Sequence, residues 1–138
     1  MGKRSVRSSR KSLASSLERR LGRVAKRFLT MLGLRNAELD IIVLPHKDIT
    51  ILKARFIKKR TEPNVLSFPE PLKFPHPETK KRYLGEVYLN RDILRKSPER
   101  AAPLLLHGIL HLLGHDHKKS TDAKRMEGLE ERMLKRAA

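Results

Sequence analysis

The stretch His107-Gly-Ile-Leu-His111-Leu-Leu-Gly-His-Asp-His117 decides the fold, because it continues an almost wholly apolar run that begins at Pro103. Leucine and isoleucine on every side of a helix predict a central buried helix rather than an amphipathic surface helix. His107 and His111 lie four residues apart, so their rings stand on the same helical face. Two buried imidazoles in consecutive turns are costly without hydrogen-bond or metal partners. The pair is therefore predicted to bind something in common.

A third histidine completes a metal-binding pattern. Gly114 follows the helical run and is suited to a left-handed cap, which predicts a turn that carries His117 back towards His107 and His111. Three imidazoles occupy three corners of a zinc tetrahedron and leave the fourth open, as in catalytic sites, so we expect one Zn²⁺ per chain. The alternative is that each is a satisfied core histidine, which is common for a lone His. His115 is expected to point away.

The nearest known pattern with this histidine spacing is His-Glu-x-x-His of the metalloproteases. In that motif a glutamate after the first histidine acts as the general base. Gly108 occupies that position here. A standard metalloprotease mechanism therefore lacks its base in this chain.

Taken together, these residues resemble a known family. The histidine stretch is similar to the signature of the YbeY family, metal-dependent endoribonucleases associated with ribosomal RNA maturation. Its other blocks resemble Asn64-Val-Leu-Ser-Phe-Pro69, Leu84-Gly-Glu-Val87 and, near the C-terminus, Ala123-Lys-Arg-Met-Glu-Gly-Leu-Glu130. The resemblance spans about residues 39 to 134. It implies a fold and a function, which are expectations at this point.

Four features depart from the family pattern. His115 stands where the family usually has Tyr, and Glu86 stands where its Gly-Asp pair has the shorter carboxylate. Ile57 falls on a position where the family commonly has arginine. The usual first strand is replaced by a basic, serine-rich lead, so the sheet is expected to lack a strand.

The composition favours an anionic partner. The chain has 138 residues and a net charge of +17, which suits one domain that binds nucleic acid. A membrane surface is the alternative, but no apolar stretch is long enough to span a bilayer. The absence of cysteine leaves histidine and carboxylate as the possible metal ligands.

The first residues differ from the rest in composition. Residues 1–11 are basic and poor in apolar side chains, which predicts a disordered tail, and residues 12–138 are predicted to form a single YbeY-like metal-hydrolase domain. No signal-peptide core follows, so we expect a cytoplasmic, bacterial protein. Because Arg- and Ser-rich leads are also typical of organellar transit peptides, an organellar location stays open.

Hydrophobic periodicity predicts an α+β fold, with a small mixed sheet of three to four strands covered by about five helices, including the histidine helix. The predicted helices cover residues 13–32, a segment capped by Asp48, the histidine helix beginning at Ser97 or near Ala101, and a last helix from Ser120. Ser15 and Glu18 are expected to cap the first helix, and Gly33 is expected to end it. In the second helix Phe56 is expected to face the core and Lys53 to face water. The predicted strands cover residues 39–44, 65–68 and 83–89, with a proline-rich loop over residues 69–82.

Further side chains are candidates for the chemistry. Besides the three histidines acting through the metal, Glu86 is a candidate base or a hydrogen-bond acceptor for a ligand histidine. Asp116 is a candidate to orient a ligand ring or to bond its own backbone in a turn. Candidate substrate contacts are the cations Lys58, Lys59 and Arg60, whose alternative is a solvated surface, and Ser67, whose alternative is a bond to a neighbouring strand or helix.

Three functions are consistent with these features. The resemblance implies a zinc-dependent endoribonuclease, specific for single-stranded RNA, that matures the 3′ end of 16S-type ribosomal RNA and acts in ribosome quality control. It also implies RNA and the small ribosomal subunit as partners, no membrane, and a monomer. A metalloprotease or other zinc hydrolase is the second hypothesis. The third is a non-catalytic, ribosome-associated RNA-binding protein with a structural metal.

Overall fold

The computed structural model describes residues 15–56, 64–70, 82–114 and 120–137, and in the last segment it describes the side chains of residues 124–136. Its helices are α1 (Ser16–Met31), α2 (His46–Phe56), α3 (Arg91–Lys96), α4 (Ala101–Leu112) and α5 (Ser120–Ala137), and its strands are β1 (Ala37–Leu44), β2 (Val65–Pro69) and β3 (Arg82–Asn90). The predicted tail, residues 1–11, lies outside this description.

Helix α1 begins and ends where local chemistry predicts. The Ser15 hydroxyl accepts from the Glu18 N–H, and the Glu18 carboxylate accepts from the Ser15 N–H, which makes a reciprocal cap. At the other end Gly33 has φ +77°, and the Leu34 N–H donates to the Leu29 carbonyl. The predicted helix over residues 13–32 is confirmed within the described part of the chain.

The three strands of the described chain form one mixed sheet in the order β1-β3-β2. Strand β1 is parallel to β3, and β2 is antiparallel to it. Gly85 in β3 has φ +134°, and a Cβ there would overlap the Phe68 carbonyl oxygen and lie 2.9 Å from the Pro69 Cα. A glycine inside a strand predicts that another part of the backbone approaches closely, and the contact at Gly85 confirms this prediction.

Helix α2 differs from its prediction in two ways. Phe56, predicted to face the core, is 64% exposed, whereas Lys53, predicted to face water, is buried. The helix begins at His46, whose N–H donates to the Asp92 carboxylate of α3, so Asp48 lies inside the first turn and does not cap it. Contacts with β3 and α3 determine which face of this short helix is buried. Its mixed side-chain pattern does not predict that face.

Helix α4 carries the histidine stretch. It follows a 3₁₀ turn over Pro98–Arg100 and begins at Ala101, which confirms the later of the two predicted starts. Pro103 is the third residue of α4, where an N–H has no partner inside the helix, so the proline does not break it. The short helix α3 was not predicted. Asn90 caps it by accepting from the Asp92 and Ile93 N–H groups.

The sheet separates two layers. Helix α4 packs against β2 and β3 and also contacts α1 and α5, while α2 contacts β1 and β3. Six residues of α4 are buried, and the side that carries His107 and His111 is half-buried. The described elements, five helices and a three-stranded mixed sheet, confirm the α+β fold class. Among the described residues, none of the helices is both long and apolar enough to span a membrane.

Candidate active site

His107 and His111 converge as their spacing predicts. Their Nε2 atoms lie 3.0 Å apart, the ring centroids are 4.5 Å apart, and the ring planes meet at 62°. The rings thus approach each other through their Nε2 edges and do not stack face to face. The two imidazoles share one short gap at the half-buried side of α4.

A carboxylate from α5 holds the first of these rings. The Glu130 Oε1 lies 3.0 Å from the His107 Nδ1, and the two side chains are 19% and 29% exposed. Because an ionised carboxylate only accepts hydrogen bonds, the Nδ1–H donates to it. This bond orients the ring of His107 and leaves its Nε2 lone pair facing His111.

The helix carrying the pair ends as predicted. Gly114 has φ +94°, and its N–H donates to the His111 carbonyl, which turns the chain at that point. His115, Asp116 and His117 follow this turn and lie outside the described residues. Within the part of the chain that the structure describes, no three His, Cys, Asp or Glu side chains are arranged to hold a metal ion.

A cleft of about 440 Å³ opens beside His107. It is lined by Asn64, Val65, Arg100, Pro103, Leu104, His107 and Glu130. Among the described residues, the side-chain oxygen of Asn64 is buried and has no hydrogen-bond partner, which is unusual because buried polar atoms are nearly always paired. The guanidinium of the exposed Arg100 adds a positive charge at this cleft. The lining thus combines an imidazole, a carboxylate, an unpaired acceptor and a cation.

Gly108 is packed against the sheet. A Cβ at this position would lie 2.7 Å from the Val87 Cγ1 and 3.2 Å from the Val65 Cγ2. The Ser67 hydroxyl donates to the Gly108 carbonyl at 3.0 Å, so it links β2 to α4. No side chain larger than hydrogen fits here without displacement, so a glutamate base of the metalloprotease kind has no room. The predicted contact of Ser67 with substrate stays a prediction.

The structure does not bring Glu86 to the histidine pair. Side chains alternate along a strand, and the neighbouring Val87 contacts Gly108 on the α4 side. Glu86 therefore faces the other side of the sheet, where the rings of Phe56 and Phe68 pack edge to face. The predicted cations Lys58, Lys59 and Arg60 lie outside the described residues.

Sequence reasoning missed three residues of this cleft. Glu130 and Asn64 belong to two of the sequence blocks that resemble the family, and this position was a signal that could have identified them. Arg100 had no such signal, because it belongs to a surface turn and one arginine among many cations does not stand out. Asn64 and Glu130 are far from His107 in the chain, and Arg100 lies in the turn before its helix.

Comparison with known proteins matches the sequence of this chain to one family. The sequence model of endoribonuclease YbeY matches residues 4–138. An endoribonuclease YbeY of Myxococcus xanthus is 36% identical over 121 residues, which cover 80% of this chain and 40% of that protein. Those of Chelativorans sp. and Rhizobium johnstonii are 34% and 35% identical, over 77% and 70% of this chain.

The relatives are longer than the matched region. The alignments cover 69% of the Chelativorans protein and 61% of the Rhizobium johnstonii protein, so the chain spans roughly two fifths to two thirds of the length of these relatives. The match nevertheless includes every element that builds the histidine cleft, from β2 to α5. By this match and these identities, the chain belongs to the endoribonuclease YbeY family.

Proposed function

We propose that this protein is a zinc-dependent endoribonuclease that cleaves single-stranded RNA at the histidine cleft. The observation that carries the proposal is the convergence of the His107 and His111 Nε2 atoms to 3.0 Å, with Glu130 bound behind the first ring. The name of the relatives, endoribonuclease, supports the reaction class. Residues 12–138 would then form a single metal-hydrolase domain.

The donor set fits a zinc ion. In a tetrahedral site two nitrogens about 2.0–2.1 Å from the metal lie about 3.3 Å apart, so the observed 3.0 Å needs only a small outward movement of the rings. A carboxylate on the far nitrogen of a ligand histidine is the usual support for such a site. His107 and His111 would hold the ion, with His117 as the proposed third ligand. The chemistry available from zinc is charge neutralisation of a phosphodiester and acidification of water.

The remaining lining residues suit an RNA strand. Arg100 would place its guanidinium on a phosphate oxygen, a contact that matches the planar fork of arginine. The unpaired oxygen of Asn64 would accept from a ribose 2′-hydroxyl, the group that distinguishes RNA from DNA. Asp116 is proposed to orient a ligand ring, and the predicted cations Lys58, Lys59 and Arg60, with Ser67, are proposed as further substrate contacts.

The family supports a proposal for the biological setting. We propose ribosomal RNA as the substrate, with cleavage at the 3′ end of 16S-type RNA, and a role in ribosome quality control. The small ribosomal subunit would be the partner, and the protein would act in the bacterial cytoplasm as a monomer. The net charge of +17 supports a polyanionic partner of this kind.

The direct test combines elemental analysis with an RNA cleavage assay. We expect one zinc per chain and cleavage of a single-stranded 16S-type fragment that stops with EDTA and returns with added Zn²⁺. Cleavage of casein with inert RNA would replace the proposal with a zinc protease. Unfolding in EDTA, together with no RNA cleavage by the zinc-loaded protein, would replace it with a structural metal in an RNA-binding protein.

Glu130→Gln tests the support of the first ligand. The amide keeps the shape and an acceptor oxygen but loses the negative charge. That charge strengthens the Nε2 of His107 as an electron-pair donor to a metal ion. We expect zinc affinity to fall about 10- to 100-fold in a chelator competition. The matched control is Glu131→Gln, whose carboxylate is 72% exposed and pairs with Lys135 at 3.9 Å. Equal zinc affinity in both variants would contradict the role of Glu130.

Asn64→Leu tests the unpaired acceptor. Leucine has a similar shape and removes an oxygen that has no partner in the described part of the chain. The free energy of unfolding should therefore stay the same or rise, while KM for RNA rises about tenfold, the value of one hydrogen bond. Single-stranded DNA of the same sequence lacks the 2′-hydroxyl, so its inhibition constant as a competitor of RNA cleavage should not change. A loss of stability with an unchanged KM would show that Asn64 serves the fold instead.

A further inference from the structure

A second cleft lies between the C-terminal halves of α1 and α5. Its volume is about 370 Å³, and it is lined by Lys26, Arg27, Thr30, Met31 and Arg136. It shares no lining residue with the histidine cleft. Three of its five lining residues are cationic and exposed, and they come from two different helices. We call it the basic cleft.

The basic cleft continues a charged face of α1. The basic stripe of this helix consists of Arg19, Arg20, Arg23, Lys26 and Arg27, all exposed. At 100° per residue these side chains fall on one side of the helix, and the buried residues Leu21, Ala25, Phe28 and Leu29 fall on the other. The stripe therefore points away from the core along the whole helix and ends at the basic cleft.

No acid within α1 neutralises this stripe. The only acidic residue of the helix is Glu18, and its carboxylate accepts from the backbone N–H groups of Ser15 and Val43. Like charges four residues apart, such as Arg19 and Arg23, destabilise a helix by about 0.2–0.5 kcal/mol per pair. Within α1 itself the stripe is therefore a source of like-charge repulsion, which bound phosphate groups would reduce.

The helix dipole does not account for the stripe either. Cations are stabilised in the last turn of a helix, and the last turn of α1 contains none. Arg19 instead lies in the first turn, where the dipole disfavours positive charge. The dipole of α1 and the packing of its buried face thus do not account for the five cations on its exposed face.

We propose that the basic stripe and the basic cleft bind the sugar-phosphate backbone of RNA outside the histidine cleft. This inference rests on the proposed function, because it takes the substrate to be RNA. Lys26, Arg27 and Arg136 would contact successive phosphates, with the Thr30 hydroxyl as an additional donor. The described lining of the basic cleft contains no aromatic side chain for base stacking, so we expect binding without base preference.

Two features favour RNA over an anionic membrane. A membrane-surface helix inserts an apolar face, but the apolar face of α1 is in the core, with Phe28 fully buried. In addition, α5 contributes Glu130 to the histidine cleft and Arg136 to the basic cleft. These positions are six residues apart, or about 9 Å along the helix. At 100° per residue they also lie about 120° apart around α5, so an RNA strand that occupies both clefts would have to follow the surface of this helix from one side to the next.

The test removes three charges from the basic cleft. The basic-cleft variant combines Lys26→Gln, Arg27→Gln and Arg136→Gln. The matched control removes three exposed cations of α2 and α3, in the combination Lys47→Gln, Arg95→Gln and Lys96→Gln. Binding of a 20-nucleotide single-stranded RNA is followed by fluorescence anisotropy over a range of salt, with His111→Ala added to every variant so that the strand stays intact.

We expect a large and specific loss of affinity in this assay. Each phosphate contact on a single strand contributes about −0.7 to the slope of log K against log salt, so loss of three lowers the slope by about 2. Binding at 0.1 M salt should then weaken on the order of 100-fold, and by less than about tenfold in the control. Equal losses in both variants would overturn the proposal.

A kinetic arm separates this inference from the proposed function. In the chain with its histidines intact, the basic-cleft variant should raise KM for the 20-nucleotide RNA without changing kcat, and leave cleavage of a tetranucleotide unchanged. If no RNA is cut but the specific loss of binding persists, the basic cleft stands and the proposed function falls. Loss of binding to phosphatidylserine vesicles, with RNA binding intact, would overturn the basic cleft in favour of a membrane site.

Discussion

His111→Ala is expected to abolish RNA cleavage, with a loss of at least about 1000-fold in kcat/KM. The imidazole lies at the half-buried side of α4, 3.0 Å from its partner, and alanine there removes one of the two described donors of the proposed metal site. Metal catalysis contributes several kcal/mol, and each 1.4 kcal/mol corresponds to a tenfold change in rate. Zinc content should fall from one per chain towards zero in the same preparation.

The matched control for this variant is another histidine. The exposed His46 bonds Asn90 through its Nδ1 at 2.8 Å and does not line the histidine cleft. His46→Gln should keep its zinc and its cleavage rate. Far-UV circular dichroism should show the same helix content in both variants, because alanine favours the interior of α4. A folded His111→Ala protein that retains zinc and activity would contradict the metal site.

Gly85→Ala is expected to cause the largest loss of stability. Two costs combine at this residue of β3, because φ of +134° is strained for any side chain, and the added Cβ would overlap the Phe68 carbonyl oxygen. Strain and steric overlap of this kind each cost about 1–3 kcal/mol, so a total of about 4 kcal/mol is expected. This is a large part of the usual stability of a domain, about 5–15 kcal/mol.

Thermal and denaturant unfolding measure this effect. The melting temperature should fall by about 15 °C in the Gly85→Ala protein. Gly22→Ala is the matched control, since Gly22 lies within α1 and an added Cβ would have no described atom within 4 Å apart from its chain neighbours and the backbone of its own helix. That variant should gain about 0.5–1 kcal/mol, because alanine loses less backbone entropy in a helix. Similar stabilities for both variants would contradict the close approach of β2 and β3 at Gly85.

Features set by neighbours in the chain were predicted well. The cap of α1 by Ser15 and Glu18, the left-handed ends at Gly33 and Gly114, and the facing pair of histidines all depend on spacings of at most four residues. Helix geometry alone fixes these contacts. The YbeY family could be recognised for the same reason, because its histidine signature is a local string.

Features set by packing were predicted less well. In α2, Lys53 is buried and Phe56 exposed, the reverse of their hydrophobicities, because this short helix follows the surface of β3 and α3. The sequence predicts Glu86 as a candidate base, but strand alternation places it on the sheet face opposite Val87 and the histidine helix. Such an assignment requires knowing which face of the sheet α4 covers.

The sequence alone determined that two imidazoles share one helical face, where the histidine helix ends, and that the chain carries a strongly positive charge. Only the tertiary structure decided which side chains lie beside the two imidazoles and beside the cations of α1. It brought Glu130 to His107 across 23 positions of chain, placed Asn64 and Arg100 at the same cleft, and joined Arg136 to the cations of α1. Short spacings are governed by helix geometry, whereas contacts between distant residues depend on which apolar faces bury one another.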